Sequence, residues 1–76
     1  MNINYSKASV RFLKKQNKNT QGRIIAAIEK IPQGDIVKLI GIGGYRLRVG
    51  NFRIIYDVNY NGINIIDIDN RGQIYK

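Results

Sequence analysis

Tyr45-Arg46-Leu47-Arg48-Val49-Gly50-Asn51-Phe52-Arg53-Ile54-Ile55-Tyr56 alternates on both sides of Gly50-Asn51. Tyr45, Leu47 and Val49 are apolar, with Arg46 and Arg48 between them. Phe52, Ile54, Tyr56 and Val58 continue the apolar series, with Arg53, Ile55 and Asp57 interleaved. A period of two broken by a Gly-Asn pair predicts a β-hairpin with a two-residue primed turn. That register sets Val49 against Phe52, Leu47 against Ile54 and Tyr45 against Tyr56, so one face is wholly apolar. The other face brings Arg48 directly opposite Arg53, with Arg46 two residues along. Like charges facing each other destabilise a sheet. The arginines therefore call for acidic neighbours or an anionic ligand.

Working outward, the rest of the chain supplies a small core for this hairpin. Ile3 to Tyr5 reads as a short first strand. Ser6 is a candidate N-cap for a helix over KASVRFLKKQ, whose Val10, Phe12 and Leu13 form a narrow apolar stripe. Lys7, Arg11, Lys14, Lys15 and Lys18 cover the remaining surface, as a solvated face or as a polyanion track. Asn19 or Thr20 is the expected cap of a second helix over TQGRIIAAIEKI. There Ile24, Ile28 and Ile31 recur at helical spacing and point to the core. Pro32-Gln33-Gly34 ends it, and the short polar break before it predicts an antiparallel helical pair.

Asp35 to Ile40 reads as a strand and Gly41 to Gly44 as a loop. Its glycines lack the strand–loop–helix context of a phosphate-binding loop. After the hairpin, Tyr60-Asn61-Gly62 turns the chain into INIIDID. A two-residue Asn61-Gly62 turn would set Asp67 opposite Tyr56, in the core. A three-residue loop pairs Tyr56 with Ile66 and Ile54 with Ile68, and moves Asp67 and Asp69 to the arginine face. The second register keeps the core apolar and is the one expected. The same parity carries Arg71 to that face. The element order reads β-α-α-β-β-β. It predicts a single α+β domain over residues 1–76, with an antiparallel four-stranded sheet and an N-terminal helical pair on one face.

Seventy-six residues lie near the lower limit for a self-sufficient core. The chain has no cysteine or histidine, which excludes disulfides, the usual zinc sites and a histidine base. No apolar run approaches a membrane span, and MNINYSKASV lacks the pattern of a secretory signal. The expected location is the cytoplasm. Net charge is +8, and of the 13 Lys and Arg only Arg71 and Lys76 lie beyond Tyr56. Such a field favours polyanions, either nucleic acid or an acidic protein.

Arg46, Arg48, Arg53 and Arg71 on one surface can fork onto a backbone phosphate and stabilise added negative charge. Asp57, Asp67 and Asp69 on the same side offer the alternative, in which a carboxylate ladder simply neutralises them. Tyr45 and Tyr56 belong to the core face. Tyr75 follows a bend at Asn70-Arg71-Gly72, where it can pack, stack on a base or carry a proton.

Lys38-Leu39-Ile40-Gly41, then YRLRVGNFRIIYDV over 45–58, then an I-x-I strand ending in NRGQIYK, resembles the RelE branch of the RelE/ParE superfamily of bacterial toxins. The likeness covers nearly the whole chain. It implies the toxin of a type II toxin–antitoxin system, a metal-independent mRNA endonuclease acting in the A site of the 70S ribosome. In such enzymes a 2′-hydroxyl attacks the adjacent phosphate. The family's catalytic positions fall on Arg53, Arg71 and Tyr75, and its substrate-binding basic pair on Arg46 and Arg48. The implied partners are mRNA, the ribosome and a cognate acidic, partly disordered antitoxin; no cofactor, metal or membrane is implied. The alternative within the same superfamily is a ParE-like gyrase inhibitor without nuclease activity.

Overall fold

The computed structural model describes residues 2–41 and 43–70. The expected helical pair forms as α1 (Lys7–Lys14) and α2 (Lys18–Glu29), after a first strand β1 (Ile3–Tyr5). Ser6 caps α1 as expected, its Oγ accepting from Ser9 N at 3.1 Å. The second helix starts earlier than the sequence suggests. Its cap is Asn17, whose Oδ1 accepts from Thr20 N at 2.8 Å, and not Asn19 or Thr20. Gln21 explains the shift. Its side-chain amide donates to the carbonyls of Leu13 (2.8 Å) and Gln16 (2.9 Å). That satisfies the orphan carbonyls ending α1 and holds α2 close behind it.

Four strands follow: β2 (Asp35–Lys38), β3 (Tyr45–Val49), β4 (Phe52–Asn59) and β5 (Gly62–Asn70). The hairpin of β3 and β4 has the register read from the alternation, including Arg48 opposite Arg53. Gly50 has φ +59° while no non-glycine among the described residues has positive φ. Glycine first and an ordinary residue second is the type II′ pattern, whose twist matches the flanking strands.

The sheet corrects the expected architecture. It has five strands in the order β1-β5-β4-β3-β2, and β1 runs parallel to β5. It is therefore mixed and five-stranded, not antiparallel and four-stranded. The string β-α-α-β-β-β was one strand short, since four strands form after the helices and β1 joins them. A segment of three residues is too short for periodicity to say what it pairs with. Its place is set by distant contacts: Asn2 O accepts from Ile63 N at 2.8 Å and Ile65 O from Ser6 N at 3.0 Å.

The register of β5 begins with neither of the two possibilities and then joins the expected one. The turn has two residues, Tyr60 and Asn61, with Asn59 paired to Gly62 and Tyr56 to Ile65. A bulge then shifts the ladder by one, so that Ile55 faces Asp67, Ile54 faces Ile68 and Arg53 faces Asp69. The expected Ile54–Ile68 pair forms; the expected Tyr56–Ile66 pair does not, because Ile66 is the extra residue. A bulge disrupts the ladder locally. Here the serines of the α1 cap cover its carbonyls: Ser6 Oγ donates to Ile66 O (2.7 Å) and Ser9 Oγ to Ile65 O (3.4 Å). Without the inserted residue, Asp67 would stand opposite Ile54 in the core.

That core comprises Leu13 of α1, Ile24 and Ile28 of α2, and Leu47, Ile54, Tyr56, Ile63, Ile65 and Ile68 of the sheet. Ile24, Ile28 and Ile54 are wholly buried, each worth about 1.5–3 kcal/mol in transfer free energy. Helix α1 lies against β5 and α2 against β3. Because side chains alternate along a strand, the arginines fall on the face away from the helices.

Candidate anion-binding face

Two cross-strand rows build this face. The first runs Asp35–Arg48–Arg53–Asp69 across β2, β3, β4 and β5. Its two inner positions are the facing arginines and its two outer positions are carboxylates. Arg48 Nε donates to Asp35 Oδ2 at 3.0 Å, and Arg53 Nη2 to Asp69 Oδ2 at 2.9 Å. The like-charge conflict in the hairpin is thus relieved outward, one carboxylate for each arginine. The Arg48–Asp35 pair is exposed, whereas the Arg53–Asp69 pair is partly buried. Low local dielectric makes the second the stronger constraint on its guanidinium.

The second row runs Val37–Arg46–Ile55–Asp67. Arg46 has no carboxylate directly opposite it, and makes no salt bridge among the described residues. Its Nε is buried without a hydrogen-bond partner among them. Asp67 is turned to its own backbone, its Oδ1 accepting from Ile68 N at 3.0 Å. Asp57, farther along, accepts from Asn64 Nδ2 at 3.0 Å.

The fold therefore brings Arg46, Arg48 and Arg53 onto one surface. Of the carboxylates expected to neutralise them, Asp69 does so for Arg53, while Asp57 and Asp67 are engaged elsewhere. Asp35 does so for Arg48 and was missed. Its pairing depends on how the 39–44 loop returns β2 to β3, which local alternation does not encode. Arg71 and Tyr75 lie outside the described residues.

Tyr45 and Tyr56 stack on the opposite, core side, with ring centroids 5.2 Å apart. Burial, and then the neighbouring Tyr45, push the Tyr56 phenol above its ordinary pKa. Tyr5 is shifted upward too, by burial and by the Glu29 carboxylate. Raised phenols in the core are poor proton acceptors at neutral pH. Among the described residues, no group of three or more Asp, Glu, His or Cys side chains is placed to hold a metal ion. None of their helices is long and apolar enough to cross a membrane.

The chain is similar to one in the RelB–RelE antitoxin–toxin complex from Methanococcus jannaschii, at 31% sequence identity and a TM-score of 0.76. The match covers 95% of this chain and 94% of that one. The chain belongs to the RelE-like toxins. A RelE–RelB complex from Pyrococcus horikoshii OT3 gives a second match, at 29% identity and a TM-score of 0.74, covering 93% of this chain and 94% of that one. No protein-family model matches the sequence, and neither does any curated protein. Membership of the RelE/ParE superfamily, expected from the YRLRVGNFRIIYDV run, is thereby shown, and with it a toxin role. The two solved relatives are toxin–antitoxin complexes, which bears on the partner considered next.

Proposed function

We propose that this RelE-like toxin is a metal-independent mRNA endonuclease that acts on the translating ribosome and is held inactive by a cognate acidic antitoxin. The observation that carries this reading is the convergence of Arg46, Arg48 and Arg53 on the sheet face opposite the helices. Guanidinium groups stay charged at every relevant pH and fork onto phosphate oxygens. Arg46 suits initial contact best, because its guanidinium makes no salt bridge among the described residues. Arg53, oriented by Asp69, is positioned to meet charge that develops at the scissile phosphate.

In the proposed reaction the 2′-hydroxyl oxygen of the RNA forms a bond to the adjacent phosphorus. The bond from phosphorus to the 5′-oxygen breaks, giving a cyclic phosphate and a 5′-hydroxyl. The proton lost by the 2′-hydroxyl must be taken up and one must be given to the leaving oxygen. By resemblance Tyr75 carries a proton and Arg71 joins Arg53 in charge stabilisation. Tyr45 and Tyr56 are poor substitutes, being stacked on the core side. A phenol with an ordinary pKa near 10 needs neighbouring cations to act near neutrality. The arginines are the available source.

The test is expression without the antitoxin, followed by mapping of mRNA ends, for the wild type and for the Arg53→Ala, Arg71→Ala double variant. Growth arrest with new cuts that depend on the ribosome is expected for the wild type. The double variant should lose both while still folding. Arrest with intact mRNA and inhibited gyrase supercoiling would instead place the chain with ParE.

A further inference from the structure

On the helix side of the sheet, two cavities of about 350 and 340 Å³ adjoin, sharing Tyr5, Val10 and Lys14 in their walls. The first is mainly apolar: Val10 and Leu13 from α1, Ile25 from α2 and Tyr5 from β1. Gln21 and Glu29, eight residues and so about 12 Å apart on α2, bound it along that helix. The second is cationic. Lys7, Arg11 and Lys14 follow at i, i+4 and i+7 on one face of α1. All three are exposed, and none makes a salt bridge among the described residues. Glu29 makes none either, in a chain of net charge +8. Its charge instead reaches Tyr5, whose phenol is pushed upward by burial and then by that carboxylate.

We propose that the joined cavities bind a free guanosine diphosphate or triphosphate. The base lies in the apolar compartment against Tyr5, and its N1–H and 2-amino group donate to the Glu29 carboxylate. The phosphates meet Lys7, Arg11 and Lys14. Complementarity of charge and hydrogen bonding selects this occupant. An ionised carboxylate only accepts, and guanine offers it two adjacent donors on one edge. Adenine and cytosine set a ring-nitrogen lone pair beside their amino group, which the carboxylate repels. Uracil has a single N–H between two carbonyls. Each ammonium or guanidinium of the second cavity gains a charge-assisted bond to phosphate. A nucleic-acid strand needs successive aromatic platforms for successive bases, whereas Tyr5 is the one aromatic residue lining either cavity. That provision fits one base, and both volumes lie in the range of small-ligand sites.

The site shares no residue with Arg46, Arg48 and Arg53, which stand on the other face of the sheet. It therefore holds whether or not the arginine face cuts RNA.

The experiment titrates the isotope-labelled full chain with GDP and follows backbone amides by NMR. Shifts should centre on Tyr5, Val10, Leu13 and Ile25. Guanosine, without phosphates, and ADP, without the paired donors, should each bind about ten-fold more weakly. Glu29→Gln and Arg11→Gln change exposed helical positions, so both variants keep the fold. Glu29→Gln should weaken GDP by about ten-fold. Simple attraction of a polyanion to a basic surface predicts the opposite sign, because the substitution removes a negative charge. Arg11→Gln should weaken GDP a few-fold and leave guanosine unchanged. The proposal is overturned if GDP moves no amides, if shifts centre on Arg46 and Arg53, or if ADP binds as tightly as GDP. It also fails if Glu29→Gln tightens GDP, or if oligouridine or poly-glutamate of equal charge concentration displaces GDP from these amides.

Discussion

Replacing Asp69 by Asn removes the negative charge from the β5 end of the Asp35–Arg48–Arg53–Asp69 row while keeping its shape. Arg53 Nη2 and Asp69 Oδ2 lie 2.9 Å apart, and for unit charges centred about 4 Å apart the Coulomb attraction at an effective dielectric of about 20 amounts to about 4 kcal/mol. Desolvation of the two groups cancels much of this. Side-chain exposures of 28% and 29% place the pair between the surface and buried limits. Surface pairs are worth about 0.2–1 kcal/mol, and breaking buried ones costs about 3–5 kcal/mol. A loss of about 1–2 kcal/mol is expected, including the restored repulsion between Arg53 and Arg48. A chain of this length has about 4–11 kcal/mol of stability, so the variant should still fold. Its Tm should fall by about 4–16 °C. The exposed partner pair, with side-chain exposures of 51% and 53%, sets the contrast: Asp35→Asn should cost under about 1 kcal/mol. The assay is urea unfolding followed by circular dichroism, run as a double-mutant cycle with Arg53→Gln. A coupling energy below about 0.3 kcal/mol between Asp69 and Arg53, or equal losses for the two aspartate variants, would refute the reasoning. The same Asp69→Asn protein should bind phosphate-rich ligands more tightly, because a guanidinium is released as stability is lost.

Three further outcomes follow from the geometry. Gly62→Ala should destabilise by about 2 kcal/mol or more, since Gly62 has φ +119° and an added Cβ would collide with the Asn2 carbonyl. Faster hydrogen exchange at the Ile63 amide, which donates to Asn2 O, would report the loss of the β1 pairing. Asn17→Ala should cost about 1 kcal/mol by removing the cap of α2, measurable as reduced helicity and Tm. Stability should also fall as pH rises above about 10. The Tyr56 phenol is raised in the fold, so the unfolded chain loses its proton first, and the loss continues until pH passes the folded value. Ultraviolet titration of phenolate against Tyr56→Phe checks this: the variant should lose one of the two late-titrating phenols, Tyr5 remaining, and unchanged curves would count against it.

Much of the candidate site was legible along the chain because a hairpin is a local object. Alternation around Gly50-Asn51 determines which residues face each other, so Arg48 against Arg53 followed from counting. The demand for an apolar partner to Ile54 likewise placed Asp67 and Asp69 on the arginine face. The cavity lined by Tyr5 and Glu29 was not legible there, because two helix faces become cavity walls only when the fold closes them over β1.

Local chemistry thus settled the two helices, the Ser6 cap, the hairpin register and the apolar face. Each depends on residues within a few positions of one another, where side-chain period and turn geometry dominate. The parallel β1–β5 pairing, the bulge at Ile66 and the Asp35–Arg48 bond depend on segments far apart in sequence. Three residues of β1 and a glycine-rich loop before β3 specify no partner until the assembled sheet offers one. The facing arginines that seemed to require an external anion are accordingly tempered by two carboxylates, from β2 and β5, while Arg46 beside them makes no salt bridge among the described residues.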